Sequence, residues 1–172
     1  MKNMFETNLA LLSGRQSKSN QVNQFFVTNL LSEMKTSEST TASYHFPLYL
    51  YADDGSKVPN LKKEIVGEME KIVGKTTPQD VFDYIYAVLH TPSYREKYKE
   101  FLKIDFPRVP YPENKKQFTM LVALGKELRE LHLLESPKVR KYITSYSVEG
   151  SDVVEKITRK DDKVYINAEQ YF

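Results

Sequence analysis

The spacing of hydrophobic and polar residues changes twice along the chain, which predicts three structural regions. Residues 7–51 carry short apolar runs and alternating patterns that are typical of β-strands. Residues 60–135 carry apolar positions three and four apart, as amphipathic helices do. Residues 150–168 return to a strand pattern around a polar turn, which predicts a β-hairpin. We expect an α+β fold in which about four helices pack with these β-rich ends in a single domain over residues 1–172.

Three strands are expected in the first region. The apolar run 9–12 ends at Gly14, a second run at 25–30 follows a polar loop, and residues 43–51 (SYHFPLYLY) alternate as a strand does. Pro47 has no backbone donor. The last strand is therefore expected at a sheet edge, or bulged at the proline.

Two of the helices are predicted to form a hairpin that is rich in aromatic residues. The stretch FDYIYAVLHTPSYREKY, residues 82–98, holds four tyrosines and one phenylalanine. Threonine-proline pairs at 77–78 and 91–92 each supply an N-cap and a proline suited to a first turn, so a helix should begin at each. Most rings lie on the facing stripes. We therefore interpret them as core rather than as a base-stacking surface, and expect Tyr84 or Tyr86 to be the exception.

Two further helices flank this hairpin. The first is expected from about residue 60 to Gly74. The second is expected over residues 114–134, where Gly125 lies on the apolar face and suggests close packing against another helix. Three prolines within residues 106–112 require an extended backbone before it.

Composition and charge exclude several classes of protein. The chain has 172 residues, of which 40% are hydrophobic and 28% charged, so it is neither disordered nor of low complexity. It has no cysteine, which excludes disulfides and cysteine-ligated zinc. No apolar run approaches the roughly 18 residues of a membrane span, and we expect a cytoplasmic chain. The net charge of +2 neither requires nor excludes nucleic acid.

Signals for catalysis are almost absent. There is no glycine-rich phosphate loop, and the three histidines do not have the spacing of metal ligands, so we expect no catalytic and no metal site. His90 is placed at a helix C-terminus, which favours an imidazolium. Asp105, Glu113 and Lys115 match a loose metal-dependent nuclease pattern. The same acidic residues could simply end one helix and begin the next.

Side chains that could bind DNA are concentrated in the loops of the β-rich parts. Arginine, asparagine and glutamine can make paired hydrogen bonds to base edges, and lysine and arginine bind phosphates. Lys62 and Lys63, in contrast, are interpreted as part of a solvated helix face. The candidates for DNA binding are Arg15, Gln16, Lys18, Asn20, Gln21, Lys57, Arg159 and Lys160.

Five stretches of the chain carry a more specific signal, of which the aromatic helical hairpin is the most distinctive. In chain order they are NLALLSGRQ (8–16), FPLYLY (46–51), FDYIYAVLHTPSYREKYKEFLKIDFPRVPYP (82–112), LGKELRELHLLE (124–135) and KVYINAEQYF (163–172). Together they resemble the C-terminal specificity region of type ISP restriction–modification enzymes. The resemblance spans nearly the whole chain.

This resemblance implies a function. Enzymes of this type are single chains that carry an adenine-specific DNA methyltransferase, and the specificity region follows it and helps to recognise the DNA target. The methyltransferase motif Asn-Pro-Pro-Tyr is absent here, as are helicase and nuclease signatures. The chain is therefore expected to bind double-stranded DNA without catalytic residues of its own. S-adenosylmethionine is expected only in an associated methyltransferase domain or subunit.

The family pattern also continues past residue 172, so we expect a fragment, a truncated gene product or a separate subunit. In this interpretation the helices form a platform and the loops face the duplex. Arg15 and Gln16 are expected to reach base edges, while phosphate contacts are expected from Lys18, Lys57, Arg159 and Lys160. The main alternative is a segment that couples the methyltransferase to a later specificity unit, or that binds protein. A small nuclease is the third hypothesis.

Overall fold

The computed structural model describes residues 2–18, 24–36 and 41–172, and these contain four α-helices and seven short β-strands. The predicted α+β class is confirmed. Residue contacts divide the chain into two compact units, Met1–Ser136 and Pro137–Phe172. In the described part of the chain, none of the helices combines the length and the apolar character that crossing a membrane requires.

The first unit contains a three-stranded antiparallel sheet. Its strands are β1 (Ala10–Gly14), β2 (Phe25–Thr28) and β3 (Ser43–Pro47), and β1 lies in the middle. The edge position predicted for the proline-containing strand is confirmed, because β1 is the one described strand with which β3 pairs. An edge strand can end in proline since its outer side needs no donor.

The predicted strand over 43–51 is in fact two strands that belong to different sheets. The chain leaves β3 at Pro47, buries Leu48, and continues as β4 (Tyr49–Tyr51), which pairs with β5 (Lys57–Pro59). The Leu48 N–H still bonds to the Leu9 carbonyl at 2.7 Å. Leu48 therefore joins the two sheets and is part of the core.

The first unit contains four helices. They are α1 (Lys63–Val73), α2 (Pro78–His90), α3 (Pro92–Leu102) and α4 (Lys115–His132). Local signals mark the start of each except α1, whose N-cap residue Lys62 makes no side-chain hydrogen bond. Thr77 and Asp80 form a reciprocal capping box at the start of α2.

A single extended residue, Thr91, separates α2 from α3, which confirms the predicted helical hairpin. The prediction that Thr91 caps α3 is wrong, because its hydroxyl donates back to the Ala87 carbonyl at 2.9 Å. The Asn114 side chain accepts from the Gln117 N–H and caps α4.

Helix α2 is the centre of the first unit, and eight of its thirteen residues are buried. The interpretation of the aromatic hairpin as core is confirmed. The expectation that Tyr84 or Tyr86 would lie outside is wrong, because they are 2% and 0% exposed. The sheet, α3 and α4 surround α2, so it has no solvated stripe for either ring. Each hydroxyl finds an internal partner: Tyr84 donates to the Pro110 carbonyl at 3.0 Å, and Tyr86 lies 2.6 Å from Nδ1 of His132.

Helices α2 and α4 approach each other closely at Gly125, as its position on the apolar face predicted. A Cβ added there would collide with the backbone carbonyl group of Asp83. One turn further along α4, Arg129 makes two hydrogen bonds to the buried Asp83 carboxylate, at 2.7 and 3.2 Å. An ion pair therefore lies inside this helix contact.

The sequence-based expectation of an imidazolium at His90 does not match its surroundings. Burial lowers the pKa of His90, and its hydrogen bonds to the backbone of Tyr86 and of Phe25 offset only part of this effect. The nearby Arg95 and His132 also lower the pKa of His90. The net effect lowers the pKa of His90, so the folded chain favours the neutral ring.

We therefore expect the free energy of unfolding of the first unit to begin falling at a higher pH than protonation of its carboxylates alone would cause. The unfolded chain protonates His90 at about pH 6.5, whereas the folded chain does so only at lower pH, so stability is lost as pH falls below about 6.5. Thermal unfolding between about pH 7 and pH 5.5 measures this loss together with that from His45 and His132, because burial also lowers the pKa of both. His90→Gln should flatten the dependence. An unchanged slope in His90→Gln would contradict the expectation.

The second unit is small and contains a short hairpin, β6 (Thr158–Lys160) and β7 (Lys163–Tyr165). The hairpin lies within the predicted 150–168, but its strands are shorter than the sequence pattern indicated. Buried Gln170 organises the rest of the unit: its amide bonds to the Val148 carbonyl and to the Asp152 carboxylate and N–H. Few apolar residues are buried in this unit, so the hydrogen bonds of this one buried side chain are a main source of its internal contacts.

Candidate nucleic-acid interface

The loop that follows β1 presents a cluster of polar side chains to solvent. Gly14 ends the strand, Arg15 and Gln16 are exposed, and Lys18 is exposed two residues later, after the buried Ser17. The structure thus brings three of the predicted DNA-binding residues together in one loop. Asn20 and Gln21 lie outside the described residues.

Arg15 forms an exposed ion pair with an acidic residue from a distant part of the chain. Its Nε–H donates to the Asp105 carboxylate at 3.0 Å. The Phe106 backbone N–H and the Arg15 guanidinium together hold the pKa of Asp105 below its usual range. Within the described part of the chain, no hydrogen bond engages the two terminal nitrogens of Arg15. Asp105 therefore binds the Nε side of the guanidinium, and the two terminal nitrogens can still donate to an external acceptor.

Asp105 owes its position to the proline-rich segment 106–112 that follows it, which we call the strap. Prolines remove backbone donors, so the strap is attached through its carbonyl oxygens. Tyr84 on α2 donates to the Pro110 carbonyl at 3.0 Å, and Tyr94 on α3 donates to the Arg108 carbonyl at 2.9 Å. Burial raises the pKa of Tyr84 to about 12, which keeps this donor protonated.

Aromatic contacts fix the other end of the strap to the sheet. Phe106 packs edge-on against Tyr44 and Phe46 of β3, with ring centroids 5.1 and 5.3 Å apart. The strap therefore connects the interior of the helical hairpin to β3 and, through Asp105, to the loop after β1.

Lys57 lies away from the Arg15 loop. The register pairs Gly14 with Ser43 and Ala10 with Pro47, so the two ends of β1 are roughly 13 Å apart. Lys57 pairs with Tyr51, beyond the Pro47 end, where Tyr51 bonds to Asn3 and Thr7. Its ammonium lies 4.6 Å from the centroid of the Tyr49 ring. The structure thus places Lys57 at the opposite end of the sheet from Arg15.

Arg159 and Lys160 belong to the second unit. Both are exposed on β6, where Arg159 pairs with Val164 and Lys160 with Lys163. The Arg159 Nε–H contacts the Asp161 carbonyl at 3.4 Å. The roles assigned to these residues and to the loop after β1 stay predictions.

The nuclease pattern gains no geometric support. Asp105 pairs with Arg15, Glu113 lies in the turn before α4, and Lys115 is the first residue of that helix. Among the residues that the structure describes, no three histidine or acidic side chains are arranged to hold a metal ion. Sequence reasoning missed that Asp105 is the partner of Arg15. No local signal could have found it, because the two residues are 90 positions apart.

Two solved structures have the same fold as this chain. One is described as the cryoEM structure of a DrdV–DNA complex: it is 23% identical with a TM-score of 0.70, and the match covers 95% of this chain and 17% of that chain. The other is described as the ATP-dependent Type ISP restriction–modification enzyme LlaBIII bound to DNA: it is 21% identical with a TM-score of 0.74, and the match covers 96% of this chain and 11% of that chain. The chain therefore spans less than a fifth of either protein.

Comparison with curated protein sequences gives no match. The family model described as the Type ISP C-terminal specificity domain, in contrast, matches residues 1–172, the full length given. The resemblance inferred from the sequence is thus confirmed. The chain belongs to the family of Type ISP C-terminal specificity domains.

Proposed function

We propose that this chain is the DNA target-recognition module of a restriction–modification enzyme, and that it binds duplex DNA without catalytic residues of its own. Membership of the specificity-domain family supports this, as do the DNA-bound states in which the two similar structures are described. The observation that carries the proposal is Arg15, exposed after β1 and oriented by Asp105. Methyltransferase chemistry and S-adenosylmethionine would belong to an associated domain or subunit, in the cytoplasm.

The geometry of Arg15 suits the reading of a base edge. An arginine that reads guanine places two N–H groups on O6 and N7, which requires a fixed plane for the guanidinium. Asp105 supplies an anchor on the Nε side, and the strap supplies a support for Asp105. Lys18 lies three residues further along the loop, where a flexible ammonium suits a phosphate.

Arg15→Ala is expected to weaken binding to a preferred duplex by about 1–3 kcal/mol and to relax preference at one base pair. Lys18→Ala should weaken all duplexes alike and reduce the salt slope by about 1. A duplex selected from a randomised DNA library serves as the preferred site, and an unrelated duplex as the reference. Lys71→Ala is a matched control, since it also removes one exposed cation that is paired with an acidic residue. Equal, sequence-independent losses in both loop variants would contradict the division of roles.

Asp105→Asn separates positioning of Arg15 from simple charge effects. Removing a carboxylate should strengthen binding to the unrelated duplex, because DNA is an anion. If Asp105 orients Arg15, the preference at the base pair that Arg15 reads should nevertheless fall. Competition between the two duplexes measures both quantities. Stronger binding with unchanged preference would show that Arg15 does not depend on its partner.

A second candidate function is structural coupling between a methyltransferase and a later specificity unit. It is favoured by an apolar cleft of about 660 Å³ in the first unit, with Leu48, Phe82 and Phe106 in its lining, and by the low net charge. A salt series of DNA binding by the chain distinguishes the two candidates. A steep slope supports recognition, and no binding even at low salt supports coupling.

A further inference from the structure

The segment that opens the second unit carries a concentration of positive charge. Lys138, Arg140 and Lys141 lie within four residues, and the chain has no acidic residue from Ser136 to Val148. These three charges exceed the +2 of the whole chain, so the remainder carries one net negative charge. We call residues 137–148 the basic segment. The net charge of the whole chain is small, but this segment is locally cationic. Binding to a polyanion depends on such local charge.

The backbone of the basic segment displays this charge to solvent. Pro137–Arg140 form a turn of 3₁₀ helix, and the Lys141 N–H closes it on the Lys138 carbonyl at 3.0 Å. Arg140 and Lys141 are exposed. Among the described residues, neither of them forms an ion pair with a carboxylate. Arg15 and Lys71 have acidic partners, whereas among the described residues Lys62 and Lys63 resemble Arg140 and Lys141 in forming no ion pair.

Large side chains next to these cations are also exposed. Tyr142 is 81% exposed and Ile143 fully so, although a tyrosine and an isoleucine side by side usually bury their apolar surface. A DNA backbone offers both kinds of surface together, because anionic phosphates alternate with apolar deoxyribose. A protein surface also offers apolar area, so the choice of DNA as the partner rests on the specificity-domain family and on the two similar structures, both described as bound to DNA.

We propose that the basic segment is a further DNA-contacting element, in which Arg140 and Lys141 bind phosphates and Tyr142 packs against the adjacent sugar. This inference rests on the proposed function. The segment adds affinity and no sequence preference, in contrast to Arg15. It would give a chain with little net charge a local attachment to the phosphate backbone.

The test compares Arg140→Ala/Lys141→Ala with wild type over a series of salt concentrations, using the selected and the unrelated duplex. Loss of two phosphate contacts should reduce the salt slope by about 1.8 and leave the preference between the duplexes unchanged. Lys62→Ala/Lys63→Ala is the matched control, since it removes two adjacent exposed charges from the start of α1. Circular dichroism should show both variants folded, because all four side chains are exposed.

The outcomes separate this inference from the proposed function. An unchanged slope in the Arg140/Lys141 variant, or an equal loss in the control, overturns the basic segment as a contact even if Arg15→Ala still relaxes preference. No binding of either duplex by wild type at low salt overturns the proposed function, and this inference with it. Tyr142→Ala adds a third readout: it should weaken both duplexes several-fold without changing the slope.

Discussion

Replacing Arg129 by alanine is expected to lower the free energy of unfolding by about 3–5 kcal/mol. The Asp83 carboxylate is 2% exposed, and its two hydrogen bonds come from Arg129. Burial already raises the pKa of Asp83, and the hydrogen bonds from Arg129 offset only part of that effect. Without Arg129, a buried carboxylate is left either charged and unpaired or protonated. Urea denaturation followed by circular dichroism measures the loss.

A double-mutant cycle shows how much of this loss belongs to the pair. Asp83→Ala/Arg129→Ala removes both charges together, so it should cost less than the sum of the two single changes. Lys71→Ala breaks the exposed pair with Glu68 and should change stability little. If the single changes were additive, the ion pair would not be the source of the effect.

Gly125→Ala is expected to destabilise the chain by about 3 kcal/mol, at the upper end of what overpacking usually costs. The new methyl group would collide with the Asp83 carbonyl oxygen, and it would lie 2.7 Å from the carbonyl carbon and 3.2 Å from Cβ of Ala87. Two of these three atoms are backbone and cannot rotate away, so α2 and α4 would have to separate. Separation would also lengthen the Asp83–Arg129 hydrogen bonds.

The chain provides an internal control for this substitution. Gly67 also lies within a helix, α1, but a Cβ there would meet nothing within 4 Å. Gly67→Ala should therefore stabilise the chain by up to about 1 kcal/mol through helix propensity alone. Opposite signs at the two glycines would isolate close packing as the cause. A stabilising Gly125→Ala would mean that the helix contact is looser than described.

The helices could be predicted from sequence because their signals are local. A threonine-proline pair begins α2 and another begins α3, and each signal depends only on neighbouring residues. The division of 43–51 between two sheets could not be predicted, since it depends on which strands Leu48 meets. The position of Tyr84 and Tyr86 was missed for a related reason. Helical periodicity assumes one solvated stripe, and α2 has none.

The candidate site was predictable only in part. A polar loop after a buried strand is visible in the sequence, and so are Arg15 and Lys18 within it. The distance between Arg15 and Lys57 follows from the antiparallel register of β1 and β3, which periodicity does not specify. The role of Asp105 required the fold, because the strap brings it to Arg15 from 90 residues away. The charge of the basic segment can be read from the sequence, but the exposure of its side chains cannot.

Tyrosine and phenylalanine are commonly interchanged in protein interiors, but at positions 84 and 94 of this chain they are not equivalent. Each phenolic hydroxyl donates a hydrogen bond to a carbonyl of the strap, whose prolines leave it few backbone N–H donors of its own. Loss of one oxygen atom at Tyr94 would release the strap near Arg108, and the acidic anchor of Arg15 lies just before it. If Arg15 reads DNA as proposed, recognition at the surface would then depend on one phenolic oxygen in the interior of the helical hairpin.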